Sequence, residues 1–306
     1  MKPLSSNAGV IDILHSGGNN MGKNYLAFDV GGTTIKYSLI DENLNLTQHG
    51  KVDTKHNEDN HILKTLKEIT KKFQAEFDLV GVGVSTAGIV AEDGSIQYAG
   101  PTIPNYINTP LKLALADQSK LPVSVVNDVD AALLGEAYAS QLDSDDIYCV
   151  ALGTGIGGAH YQNGQLIGGS HGKGNSIGYT MFDPKSGTNY EQRASTLTLE
   201  GKLNDYDISV IDAFEKAKAN KAPYVDIIKD WATQVATGLA EIIVLFDPEY
   251  IIVGGAVSAQ GEYLIGLLND ALDILLPPNF NQTTLKIAKQ GNNAQLIGAI
   301  VPLIKK

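Results

Sequence analysis

Tyr25-Leu26-Ala27-Phe28-Asp29-Val30-Gly31-Gly32-Thr33-Thr34 is an apolar β-type run that breaks at a glycine-threonine turn and leads straight into a second strand-like segment. About 120 residues later the same device recurs. There the apolar run 147–152 enters Gly153-Thr154-Gly155-Ile156-Gly157-Gly158. A glycine-rich turn lets backbone amides approach a phosphate without side-chain obstruction. Thr33 and Thr154 add hydroxyl donors. One such turn reads equally well as a plain hairpin. Two of them, on matching strand-turn-strand units, predict two related lobes gripping one phosphate chain. Neither turn is a P-loop or a dinucleotide fingerprint. There is no Gly-Lys-Ser/Thr, and the second turn lies between two strands rather than opening a helix.

Working outward, residues 25–30, 34–40 and 47–53 read as three successive strands joined by tight turns. Helical spacing over about 60–77 places Ile62, Leu63, Leu66, Ile69 and Phe73 on one face. Residues 79–85 form a buried strand, 111–118 a helix and 122–126 another strand. Asn127-Asp128-Val129-Asp130 stands at the carboxyl end of that strand, before a helix over 131–140. Ligand chemistry in open α/β folds gathers at such strand ends. The second lobe repeats the plan, with a hairpin over 147–152 and 157–162 and a turn at Asn163-Gly164. Trp231, Val235, Leu239, Ile242, Ile243 and Phe246 make a helical stripe that ends at Asp247-Pro248. A buried strand over 250–253 precedes Gly254-Gly255, and an apolar helix closes the chain. The duplication is one of plan, without a solenoid period.

At 306 residues the chain can bury a large core or two moderate ones. A net charge of −11 argues against a nucleic-acid or anionic-membrane surface, which needs clustered Lys and Arg. It leaves phosphorylated ligands open, since amides and a bound metal hold those without surface charge. Cys149 is the single cysteine and sits in an apolar strand, which rules out an internal disulfide and a multi-cysteine zinc site. A reducing cytoplasm fits. No apolar run reaches the ~18 residues of a membrane helix. Residues 1–23 read as a flexible leader or an added remnant, too acidic in their apolar run for a signal peptide and too short for a winged-helix DNA-binding domain.

Several residues carry candidate chemistry. Asp29, beside the first turn, is either a turn-capping residue or a carboxylate that holds Mg²⁺ directly or through water. Lys36 alternates with the apolar positions of the next strand, as a solvated lysine or a phosphate partner. Asp128 is the candidate base. A kinase acting on an alcohol needs a carboxylate to orient the hydroxyl and accept its proton. Asn127 can bind a neighbouring hydroxyl through its amide. Read without the paired turns, Asn-Asp before a helix is a cap. Asp130 is assigned to capping. Gly254-Gly255 allows close approach of something flat, such as adenosine.

This pattern resembles the ROK family of bacterial sugar kinases, within the actin/hexokinase/Hsp70-like ATPase superfamily. The resemblance runs from about Tyr25 to the end of the chain. Residues 27–36 are similar to the family's first phosphate motif, with Asp29, Gly31, Gly32, Thr33, Thr34 and Lys36. Residues 126–132 resemble its sugar-binding and catalytic motif, and 152–158 its second phosphate motif, with Gly153, Thr154 and Gly155. Residues 252–257 resemble its adenosine segment. The resemblance implies a two-lobed α/β, ribonuclease H-like fold with a ligand cleft, and ATP-dependent phosphorylation of a hexose hydroxyl, usually the 6-hydroxyl. It makes Asp128 the base, and Asn127, Glu191 and Asn105 sugar ligands. It also implies a homodimer. The expected lobes are 24–126 plus 292–306, small, and 127–291, large.

Two departures from the family pattern bear on the acceptor. Where the family has Glu-x-Gly-His, this chain has Ser176-Ile177-Gly178-Tyr179, which removes a carboxylate and an imidazole from the reducing end of the sugar. The cysteine-rich zinc motif is also gone from 181–190, so no zinc is expected. Ser176 and Tyr179 then serve as the replacement sugar contacts. A substituent at C1 or C2 explains a rebuilt reducing end beside an intact Asn-Asp pair. A β-glucoside is the favoured acceptor, with N-acetylmannosamine, glucose and fructose as alternatives. A non-catalytic sugar sensor on the same fold is the rival from another class.

Overall fold

The computed structural model describes residues 22–101 and 103–304. Of the stretch 1–23 expected as a leader, residues 1–21 lie outside the described residues. The first glycine turn joins β1 (Asn24–Val30) to β2 (Thr34–Asp41), and β3 (Leu46–Asp53) continues the meander. Helix α1 (His61–Glu76) leads back to β4 (Leu79–Thr86), followed by a small hairpin of β5 (Ile89–Val90) and β6 (Ile96–Tyr98). Then come α2 (Leu111–Ser119), β7 (Val123–Asn127) and α3 (Asp128–Ala139).

The second half opens with β8 (Asp146–Leu152), β9 (Ile156–Gln162) and β10 (Gln165–Leu166). Four helices follow, α4 (Glu191–Ala194), α5 (Thr196–Leu203), α6 (Val210–Lys218) and the long α7 (Tyr224–Phe246). The half closes with β11 (Tyr250–Gly254), α8 (Glu262–Leu275), β12 (Thr284–Ile287) and α9 (Ala294–Ile304).

The strands form two five-stranded sheets, ordered β3-β2-β1-β4-β7 and β10-β9-β8-β11-β12. Each sheet has an antiparallel three-stranded meander extended by two strands parallel to its first. The two halves therefore share one topology. Central strands are buried on both faces, which is why they read as continuous apolar runs. In β1, Leu26, Phe28 and Val30 join a core with α1 and α2, while Tyr25 and Ala27 pack towards α9. In β8, Tyr148, Val150 and Leu152 meet α7 and α8, while Ile147 and Cys149 face Leu133 of α3.

Helices α3 and α9 lie between the sheets and cross closely. A Cβ on Gly298 would run into the Ala131 carbonyl, and one on Gly135 into that of Ala294, so only glycine fits at either crossing point. Buried Glu136 of α3 accepts from the Lys289 and Gln290 amides (2.9 and 2.7 Å), fixing the segment that precedes α9. Among the described residues, no helix is long and apolar enough to cross a membrane.

One helix start differs from expectation. α3 begins at Asp128, three residues earlier than its apolar pattern suggests. The cap is Asn127, whose Oδ1 accepts from the Val129 and Asp130 amides (2.9 and 3.3 Å). Asp130, expected as the cap, is inside the first turn. A side-chain oxygen at Asn127 satisfies the otherwise unpaired first amides, so the helix can start directly at the strand end.

Candidate active site

The two glycine turns have matching construction. Gly31-Gly32-Thr33 lies between β1 and β2, closed by the Gly31 amide donating to the Thr34 carbonyl (2.9 Å). Gly153-Thr154-Gly155 lies between β8 and β9, closed by the Gly153 amide and the Gly155 carbonyl (3.0 Å). Each turn is braced from behind. Thr54 donates its hydroxyl to the Gly32 carbonyl (2.8 Å) and its amide to that of Thr33 (2.9 Å). The Thr196 amide donates to the Gly153 carbonyl (2.9 Å). In a trans peptide the N–H opposes the C=O. The Thr33 and Thr154 amides therefore point away from their braces, as donors for an anion.

At the carboxyl end of the first sheet, strand register sets Lys36, Asp29, Ser85 and Val126 side by side across four strands. Asp29 is buried, with Ser85 donating to Oδ1 (3.2 Å) and the Lys36 ammonium 3.6 Å from Oδ2. Burial pushes the Asp29 carboxyl up, against the pull of Lys36 and Ser85. Asp128 begins α3 just beyond this row. Burial, and then the charge of Asp29, push it up to about 6, although it accepts from the Val129 amide (3.0 Å). Asp130 is pushed up to about 7 by burial and by Asp128. A carboxylate tuned close to neutrality suits proton acceptance from an alcohol.

Asn127, Asp128 and Asp130 line a cavity of about 890 Å³, whose far wall includes Ser176, Tyr179 and Glu191. Both Asn127 amide atoms are already engaged, with Nδ2 donating to the Gly88 carbonyl (2.8 Å). Gly157 and Gly158, just past the second turn, line the same space. Tyr179 is 65% exposed, and Ser176 donates to the Lys173 carbonyl (3.0 Å). Glu191 Oε2 accepts from the Ile156 amide (3.2 Å).

The structure does not bring Asn105 into this cavity. Asn105 lines a separate hollow of about 440 Å³, and its carbonyl accepts from Asn57 (3.1 Å). Asn108 reaches the large cavity instead. Both asparagines have positive φ (54° and 66°), which suits Asn at either place, so sequence alone could not choose between them. Gln97 and His171 also line the cavity and carry no local motif.

Gly254 ends β11, and Gly255 follows it. Gly255 has φ +96°, and a Cβ there would strike the Leu152 carbonyl. Glycine therefore lets the chain cross the end of β8 into a 3-10 turn over 256–260. That turn lines a second, mainly apolar cavity of about 500 Å³ with Thr196, Val210 and Ile211. Such a cavity suits a flat base.

Among the described residues, no group of three or more His, Cys, Asp or Glu is placed to hold a metal ion. Mg²⁺ bound with a nucleotide needs fewer protein ligands, commonly one or two carboxylates plus phosphate oxygens. Asp29, beside the first turn, fits that role. The loop over 181–190 is held by Arg193, which sequence reading passed over. Its guanidinium donates to the Thr188 and Met181 carbonyls (both 2.7 Å).

Comparison with known proteins agrees with this geometry. A match to the ROK family covers residues 25–306. A β-glucoside kinase of Listeria monocytogenes is 28% identical over 92% of this chain and 97% of its own length. A ROK family protein from Streptococcus pneumoniae, solved in complex with sucrose, superposes with a TM-score of 0.81 at 26% identity, covering 92% of this chain and 98% of that one. A ROK family glucokinase from Streptomyces griseus, in complex with glucose and AMPPNP, gives 0.75 at 27% identity, covering 90% and 97%. The paired turns, the two like sheets and these relatives agree: the chain belongs to the ROK family, as one of its sugar kinases, with the two-lobed actin/hexokinase-like fold.

Proposed function

We propose that this kinase transfers phosphate to the 6-hydroxyl of a hexoside, with a β-glucoside as the favoured acceptor. The observation that carries the proposal is Asp128, a carboxylate raised to about 6, in a cavity whose wall includes the strand leaving the second glycine turn. Bound Mg-ATP supplies the phosphoryl group. The Thr33 and Thr154 amides and hydroxyls hold its phosphates, Asp29 and Lys36 flank them, and the second cavity takes adenosine. Asp128 orients the sugar hydroxyl and takes its proton. Catalysis then rests on positioning and charge stabilisation more than on covalent work.

The proposed lobes, 24–126 plus 292–306 and 127–291, are each built on one five-stranded sheet and divide at the last residue of β7, and their closing excludes water. Acceptor choice lies at Ser176 and Tyr179. A serine and an exposed phenol ring line the wall where a charged pair is expected in the family, which favours a neutral substituent over a free reducing end. The lone buried thiol of Cys149 fits a reducing cytoplasm.

The test is ADP release over glucose, cellobiose, phenyl β-glucoside, N-acetylmannosamine and fructose. The highest kcat/KM should fall on a β-glucoside. Preference for a free hexose would overturn the acceptor assignment. Nucleotide binding with no turnover on any sugar would favour the sensor.

A further inference from the structure

The acceptor cavity and the second cavity are separate, yet one short segment touches both. Glu191, the first residue of α4, lines the larger, and Thr196, the first of α5, lines the smaller. The second glycine turn lies between them, and the segment is bonded to both of its ends. On one side, Glu191 Oε2 accepts from the Ile156 amide (3.2 Å). On the other, the Thr196 amide donates to the Gly153 carbonyl (2.9 Å) and its hydroxyl to that of Leu152 (3.2 Å). Close packing keeps Glu191 in place. A Cβ on Gly155 would lie 2.6 Å from Oε2, and one on Gly178 2.8 Å from the same atom.

The segment is also firmly backed by α7. The Trp231 indole donates to the Ala194 and Ser195 carbonyls (3.0 and 3.2 Å), and the Tyr190 hydroxyl to the Val235 carbonyl (2.7 Å). Trp231 and Tyr190 are both buried. Anchored in this way, the segment holds Glu191 and Thr196 at a fixed spacing against the two ends of the second glycine turn.

We infer that the Glu191–Thr196 segment couples the two ligands: acceptor binding at Glu191 sets the geometry of the second glycine turn and thereby the affinity for nucleotide. This rests on the assignment of sugar and nucleotide to the two cavities. A carboxylate has lone pairs on both oxygens. With Oε2 held by the Ile156 amide, Oε1 accepts from a sugar hydroxyl, and the sugar locks Glu191 against the turn. Glu191 and Thr196 are then positioning residues for phosphate. By linkage, nucleotide must raise the affinity for sugar by the same factor.

The experiment measures the Kd of Mg-AMPPNP by calorimetry, with and without saturating phenyl β-glucoside or glucose. Trp231, the chain's single tryptophan, donates to the segment from α7 and gives a second readout. The wild type should bind AMPPNP about fivefold or more tightly with sugar present. In Glu191→Ala and Thr196→Val the ratio should fall towards one. Thr196→Ser, which keeps the hydroxyl, should retain it. That rescue separates coupling from general damage, and the Thr196 pair stands if Glu191→Ala fails to fold. Independent binding in the wild type, or an unchanged ratio in both variants, overturns the inference and leaves the proposed function standing. No binding of either probe overturns both.

Discussion

The charge on Asp29, near the end of β1, pushes upward the carboxyl of Asp128, the first residue of α3. Asp128 follows β7 directly, and Asp29 is next to last in β1, with Ser85 of β4 between them. The residue proposed to flank phosphate and the residue proposed to meet the sugar are thus electrostatically linked.

That link predicts a pH profile. Asp128 must be ionised to accept a proton, so kcat/KM should fall about tenfold per unit as pH drops below about 6. Removing the charge in Asp29→Asn should move the inflection to lower pH, since a like charge no longer opposes ionisation. An inflection that stays in place would break the link. Asp128→Asn should lower kcat by about 10²- to 10⁴-fold with AMPPNP binding retained, measured by ADP release and calorimetry.

Asp130 predicts a stability effect of opposite sense to most acidic residues. Its folded pKa lies above the unfolded value, so its favourable contribution is present at low pH and lost as pH rises through about 7. Asp130→Asn should therefore raise Tm by about 2–4 °C at pH 8 and have less effect at pH 5. Calorimetric melts at the two pH values check this. An equal shift at both would remove burial of charge as the cause.

Arg193 predicts how the 181–190 loop is held. Arg193→Met should cost roughly 1.5–3 kcal/mol through the lost charged hydrogen bonds. It should also open the loop to trypsin at Lys185. A chelator should leave the wild-type Tm unchanged, whereas a chelator-sensitive melt would reveal a metal in the fold.

Tyr179 predicts selectivity. Replacing Ser176 and Tyr179 with Glu and His should lower the kcat/KM ratio for phenyl β-glucoside over glucose by about tenfold. One such contact is worth about 1–3 kcal/mol. An unchanged ratio would place acceptor choice elsewhere in the cavity.

Local chemistry made much of this fold readable in advance. Continuous apolar runs broken at glycine turns placed both hairpins, and the start of α1 follows from its apolar face. The start of α3 did not, because its first turn carries Asp128 and Asp130 rather than apolar residues, and a polar cap at Asn127 outweighs the pattern. Asn105 and Asn108 differ only in which hollow their loop presents to them. The role of Arg193 depends on carbonyls 5 and 12 residues away, and backbone acceptors leave no mark in a sequence. The second cavity joins residues near 200 with residues near 257, a pairing that only tertiary packing creates.

The two sheets share a strand order but not a charge. Where the first sheet pairs Asp29 with Lys36 beside its turn, the corresponding pair in the second is Ala151 with Gly157. The space beside the first turn therefore carries a carboxyl and an amine, and the space beside the second only small side chains. Such a scaffold is symmetric in outline and polar in content. The duplicated fold thereby acquires a direction, because its two turns are alike in shape and unlike in what flanks them.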